Sequence, residues 1–130
     1  MIVGRWDSKE ELDRFRIDIE RNGLSQRITL GDNVSEKMLS DFYDKTRIFL
    51  RLGFKESGTG LAIREAIGRG CPVVISKDLG AYTIVRSGES GFLVDENNLT
   101  DVAERIVTIF NNNDMVRRMS TCAYDLAKEK

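Results

Sequence analysis

The chain has 130 residues, 41% apolar and 32% charged, the balance of a single globular domain able to bury about two-thirds of its unfolded surface. Twenty Lys and Arg against twenty-one Asp and Glu leave a net charge of −1, which argues against a broad phosphate-backbone footprint and so against nucleic acid as partner. Histidine is absent, which removes Ser-His-Asp and Cys-His catalysis and the commonest zinc ligand.

The run Met1-Ile2-Val3-Gly4 reads as a short buried strand. Ser8 with Glu11 three residues on has the spacing of a capping box, and Leu12, Phe15 and Ile19 form one face of the helix it opens. Gly23 followed by Leu24 reads as the glycine just past that helix with its apolar partner. A second strand is expected over 27–30. Val34, before Ser35 and five residues from Leu39, has the spacing of a hydrophobic staple opening a helix over 36–44. A third strand is expected over 47–52, then a glycine-rich loop over 53–60 and a helix over 61–69 ended by Gly70. The apolar run 71–75 is a fourth strand, with Pro72 at its beginning, where no ladder donor is lost. Residues 91–94 are a fifth. Two helices follow: one carries Leu99, Val102, Ala103, Ile106 and Phe110, the other Met115, Met119, Cys122, Ala123 and Leu126. Strand and helix alternate, which predicts an α/β doubly wound parallel sheet of about five strands with helices on both faces, Rossmann-like, in one domain over 1–130.

Cys71 and Cys122 lack CxxC spacing, so neither a metal knuckle nor a redox motif is indicated, and a reducing cytoplasm is the default. No apolar run approaches a membrane span, and residues 1–6 have no signal-peptide pattern.

Ligands of such sheets bind outside the carboxyl ends of the strands. The segment Phe54-Lys55-Glu56-Ser57-Gly58-Thr59-Gly60-Leu61 sits at such an end. Gly58 and Gly60 let the backbone approach a ligand closely, and the free amides of the following helix suit an anion. Glu65 falls in the second turn of that helix, and helical side chains tilt toward the N-terminus, back to the same mouth. A carboxylate there can accept from two neighbouring hydroxyls, as on a ribose. Read locally, the same residues also fit a plain glycine-rich connector with a solvated Glu.

Glu56 to Glu65, followed by Ala66-Ile67-Gly68-Arg69-Gly70-Cys71-Pro72-Val73-Val74, resembles the donor-binding half of the glycosyltransferase family 4 (GT-B) enzymes. Upstream, 22–34 is similar to the family's N-G-L-x-x-R-V-x-F-L-G-x-V; downstream, 85–94 is similar to its I-V-x-x-G-x-x-G-x-L-V. The resemblance implies a retaining transferase that moves a sugar from a nucleotide diphosphate sugar, UDP- or GDP-linked, to an acceptor with no required metal. It implies Glu65 at the ribose hydroxyls, the backbone of Gly58, Thr59, Gly60 and Leu61 at the diphosphate and sugar, and Gly31 and Val34 beside the base. The family's two glutamates have seven residues between them and Glu56 and Glu65 have eight. Glu56 is therefore the expected catalytic-side residue at the sugar, with Ser57 as the alternative occupant.

The Asn-Gly-Leu segment arrives after one helix, the spacing that follows the family's second strand. On that resemblance the first strand, with its diphosphate-clamping Arg and Lys, and the acceptor domain are absent, leaving a donor domain catalytically incomplete on its own. Its partners would be the nucleotide sugar and an acceptor domain or separate chain; location would be cytoplasmic, extending to the inner membrane face in the full enzyme. Arg5 is better read as solvated than as a diphosphate ligand. Trp6 and Phe54 read as packing residues, and Tyr82 and Tyr124 as helix-face residues. The missing central strand leaves two expectations: residues 2–4 close onto 47–52, giving the order 2-1-3-4-5, or a second copy covers the edges as a homodimer. Closure is favoured, because residues 1–3 are apolar throughout. A non-catalytic α/β nucleotide- or partner-binding module is the other function class. A receiver-like signalling domain is excluded, since Gly4-Arg5 and Leu52-Gly53 stand where its acidic residues would be.

Overall fold

The structure, a computed structural model, describes residues 2–3, 7–31, 34–53, 60–77 and 84–129. It divides into two compact units, Met1–Ser40 and Asp41–Lys130.

In the first unit, β1 (Ile2–Val3) precedes α1 (Lys9–Arg21) and β2 (Leu30–Gly31). Ser8 caps α1 as its sequence predicts, its hydroxyl accepting from the Glu11 amide at 3.1 Å. The helix ends in a Schellman turn: the Leu24 amide donates to Ile19 O at 2.9 Å and the Gly23 amide to Glu20 O at 3.0 Å. The amides of Arg27 and Ile28 both donate to Leu24 O, at 2.8 and 3.0 Å. This turn delays the second strand, which therefore begins at Leu30 rather than at 27. It runs parallel to β1, with Ile2 opposite Leu30 and Val3 opposite Gly31. Helix α2 (Glu36–Lys45) carries the chain into the second unit. Ser35 caps it, accepting from the Met38 amide at 3.2 Å.

The second unit holds β3 (Phe49–Arg51), α3 (Leu61–Gly68), β4 (Val73–Ser76), β5 (Gly91–Val94), α4 (Leu99–Phe110) and α5 (Asn113–Lys128). Its three strands form one parallel ladder in the order β3-β4-β5. Phe49 lies opposite Val73, and Val73 opposite Gly91. All four residues of β4 are buried, as a central parallel strand covered on both faces requires. Val74 and Val94 pack with Val102 and Ile109 of α4 and Met119 of α5 in one apolar cluster. Val73 and Ile75, at the alternate positions, point to the opposite face and are equally inaccessible.

All five expected strands are present, the second displaced to Leu30–Gly31, and the described pairings give a two-stranded and a three-stranded sheet. Among the described residues β1 pairs with β2 only and β3 with β4 only. The β1–β2 and β3-β4-β5 neighbours of the expected order 2-1-3-4-5 are found, but the expected ladder between residues 2–4 and 47–52 is not among the described pairings; β1 has only two residues, and Ile2 is 40% exposed rather than buried as a central strand would be. β3 ends its ladder with Leu50 46% and Leu52 36% exposed. Glu96, in the turn between β5 and α4, is buried with no hydrogen-bond partner on either carboxylate oxygen, a cost for which the described structure shows no compensating contact.

Candidate functional site

Helix α3 begins without a side-chain cap. Gly60 stands at its N-cap position in the left-handed region, φ 61°, and the first turn holds no acidic residue. A side chain at Gly60 would meet only Ile63, at ordinary contact distance. Glycine is required there by its dihedral and not by crowding. Among the described residues nothing caps the first amides of α3, which suit a partner from outside the helix, and the helix dipole favours an anion. Leu61, the first helical residue, is exposed.

The carboxyl ends of β3 and β4, which flank this mouth, are tied together. The Gly53 amide donates to the hydroxyl of Ser76 at 3.1 Å, and Ser76 is fully buried. This tie is a residue-level feature that sequence reasoning did not single out.

Glu65 is exposed on the second turn of α3. It accepts a hydrogen bond from the hydroxyl of Tyr43 at 3.2 Å; the same hydroxyl lies 3.3 Å from Ala62 O. Tyr43 was not among the residues the sequence pointed to: its partner is 22 positions away, and only the buried side of α2 would have hinted at it. The ring is buried and sits 6.1 Å from the Phe49 ring. Burial first, then the Glu65 carboxylate, pushes the phenol up to about 12, so the hydroxyl stays protonated and donates. Two further contacts hold the end of α2 against α3. The Cys71 thiol donates to Tyr43 O at 3.3 Å, and Arg69 pairs with Asp44 at 2.9 Å.

Gly60, Leu61 and Glu65 are therefore brought to one helix end. Gly31 and Val34 fall in the first unit, Gly31 at the end of β2 and Val34 just before the Ser35 cap. Glu56, Ser57, Gly58 and Thr59 lie outside the described residues, as do Arg5, Trp6, Phe54 and Tyr82. Among the described residues no group of three or more Cys, Asp or Glu is placed to hold a metal ion.

The profile of the glycosyl transferases group 1 family matches residues 1–126. The chain is 25% identical over 123 residues to the poly(glycerol-phosphate) alpha-glucosyltransferase of Bacillus subtilis, covering 94% of this chain and 18% of that protein. In fold it is similar to sucrose-phosphate synthase from Thermosynechococcus elongatus, with TM-score 0.86 and 22% identity over 98% of this chain and 33% of the other. It is likewise similar to Anabaena HepE solved in complex with UDP-glucose, with TM-score 0.84 and 21% identity over 98% of this chain and 35% of the other. The chain spans between 14% and 35% of the length of the first three curated relatives it matches.

Proposed function

The chain belongs to the glycosyl transferases group 1 family, and from that premise we propose that it is the nucleotide-sugar-binding domain, residues 1–130, of a retaining family 4 glycosyltransferase. The observation that carries this reading is the end of α3, where amides without a side-chain cap stand one turn from Glu65. The amides suit a diphosphate, and the carboxylate suits a pair of ribose hydroxyls. On this reading the backbone of Gly58, Thr59, Gly60 and Leu61 meets the diphosphate and sugar, Gly31 and Val34 flank the base, and Glu56, or Ser57 in its stead, reaches the sugar. The family resemblance implies that no metal is required, and the amides at the start of α3 are the groups offered to the diphosphate instead.

In the full enzyme the anomeric carbon passes from the diphosphate oxygen to an acceptor oxygen with its configuration kept, and the nucleoside diphosphate leaves. Holding the acceptor against the sugar supplies much of the rate, and that task falls to an acceptor domain or separate chain. The 130 residues alone then bind a donor without transferring it. With closure of the sheet set aside, a second copy covering the strand edges, as a homodimer, is the other expectation. The expected place of work is the cytoplasm, extending to the inner membrane face; no described helix is long and apolar enough to cross a membrane.

HepE was solved with UDP-glucose, which makes uridine diphosphate the first probe. Calorimetry on the 130-residue chain should show weak binding, and Glu65→Ala should cost about 1.5–3 kcal/mol of it. Equal affinity for both proteins would rule out the ribose role. Sugar transfer on adding a separate acceptor domain would decide against a purely non-catalytic binding module.

A further inference from the structure

Glu65 is exposed and sits on a helix surface, where a glutamate ordinarily samples many rotamers and must be ordered when a ligand binds. Here one of its oxygens is already engaged. The Tyr43 hydroxyl donates to Oε2 at 3.2 Å, and the tyrosine has little freedom of its own. Its ring is buried, its carbonyl oxygen accepts from the Cys71 thiol at 3.3 Å and from the Thr46 amide at 3.1 Å, and Phe49 lies beside it. The hydroxyl has one proton and two acceptors in reach, Glu65 and Ala62 O. The charged oxygen is the stronger acceptor.

The bond to Glu65 is not needed to join α2 to α3. The Arg69–Asp44 pair and the Cys71–Tyr43 contact already do that. What the hydroxyl adds is direction at a single exposed carboxylate. We propose that Tyr43 is a positioning residue for donor binding: it fixes Oε2 of Glu65 and leaves Oε1 free for the ribose hydroxyls. This rests on the nucleotide-sugar reading above. A carboxylate held before the ligand arrives loses less freedom on binding, so the gain appears as affinity. Because the tyrosine keeps its proton well beyond neutrality, it donates over the whole physiological range.

The test measures binding of uridine diphosphate and of its 2′,3′-dideoxy analogue to four proteins: wild type, Tyr43→Phe, Glu65→Ala and the double variant. Thermal melts confirm that each is folded. Tyr43→Phe keeps the buried ring and should weaken uridine diphosphate by about threefold to tenfold. It should leave the dideoxy analogue unchanged, and it should be silent once Glu65 is alanine. A purely structural tyrosine would weaken both ligands in both backgrounds, and that result overturns the proposal. Glu65→Ala weakening uridine diphosphate while Tyr43→Phe does not would also overturn it, with the ribose role of Glu65 left standing. If Glu65→Ala has no effect, the ribose role of Glu65 fails and takes the positioning role with it; if the wild type does not bind, the nucleotide-sugar reading itself fails.

Discussion

At Tyr43 and Cys71 the folded protein keeps two protons that the unfolded chain gives up earlier. Burial, then the Glu65 carboxylate, raises the phenol from 10.0 to about 12; burial, then the Asp44 carboxylate, raises the thiol from 9.0 to about 11. Between those values the native state binds more protons than the unfolded state, so stability must fall as pH rises. It is complete below about pH 9 and declines from there to about pH 12. Denaturant unfolding from pH 8 to 11.5 should show a falling midpoint, with a shallower fall above pH 10 in Tyr43→Phe. A slope shared by both proteins would mean that the phenol does not contribute. Gly60 and Glu65 could be read at their own positions, because a glycine before a helix and a carboxylate in its second turn are local signals. Tyr43 could not. Its role depends on a contact between two helices, and nothing beside it in the chain announces that contact.

The helix ends were the most readable elements, and for the same reason. The Ser8 cap and the Gly23–Leu24 exit each need only neighbouring residues, and both are found as expected. The second strand was misplaced because apolar alternation over 27–30 competes with a turn that takes the Arg27 and Ile28 amides. Periodicity does not show which hydrogen bond wins. Gly91, the first residue of β5, carries a constraint that periodicity also hides. A Cβ there would overlap the Val73 carbonyl oxygen and come within 2.7 Å of Val73 Cγ2. Both belong to fully buried β4, which has no room to yield. Gly91→Ala should therefore cost about 1–3 kcal/mol, or abolish folding. Gly68, exposed at the end of α3, has nothing within 4 Å of its would-be Cβ, and Gly68→Ala should instead gain up to about 1 kcal/mol. Denaturant midpoints of the two variants should move in opposite directions; movement the same way would discount the backbone overlap.

For the whole molecule, strand–helix alternation was enough to give an α/β chain with parallel pairing, and the family profile runs over nearly its full length. That β1 is a two-residue strand with Ile2 40% exposed was not readable, because apolar character in residues 1–3 does not tell a buried central strand from a short exposed one. The three-stranded ladder stops at β3, and among the described residues nothing continues it. Leu50 in that strand and Leu52 just beyond it are exposed. Folded proteins usually blunt such a border with lysine, proline or a bulge, since it templates runaway association. The colloidal behaviour of the isolated chain should follow from this one strand. Light scattering should climb with protein concentration, and Leu50→Lys should keep solutions clear at concentrations where the wild type turns turbid, with its melting temperature nearly unchanged. If the lysine variant clouds just as readily, the sticky surface lies elsewhere.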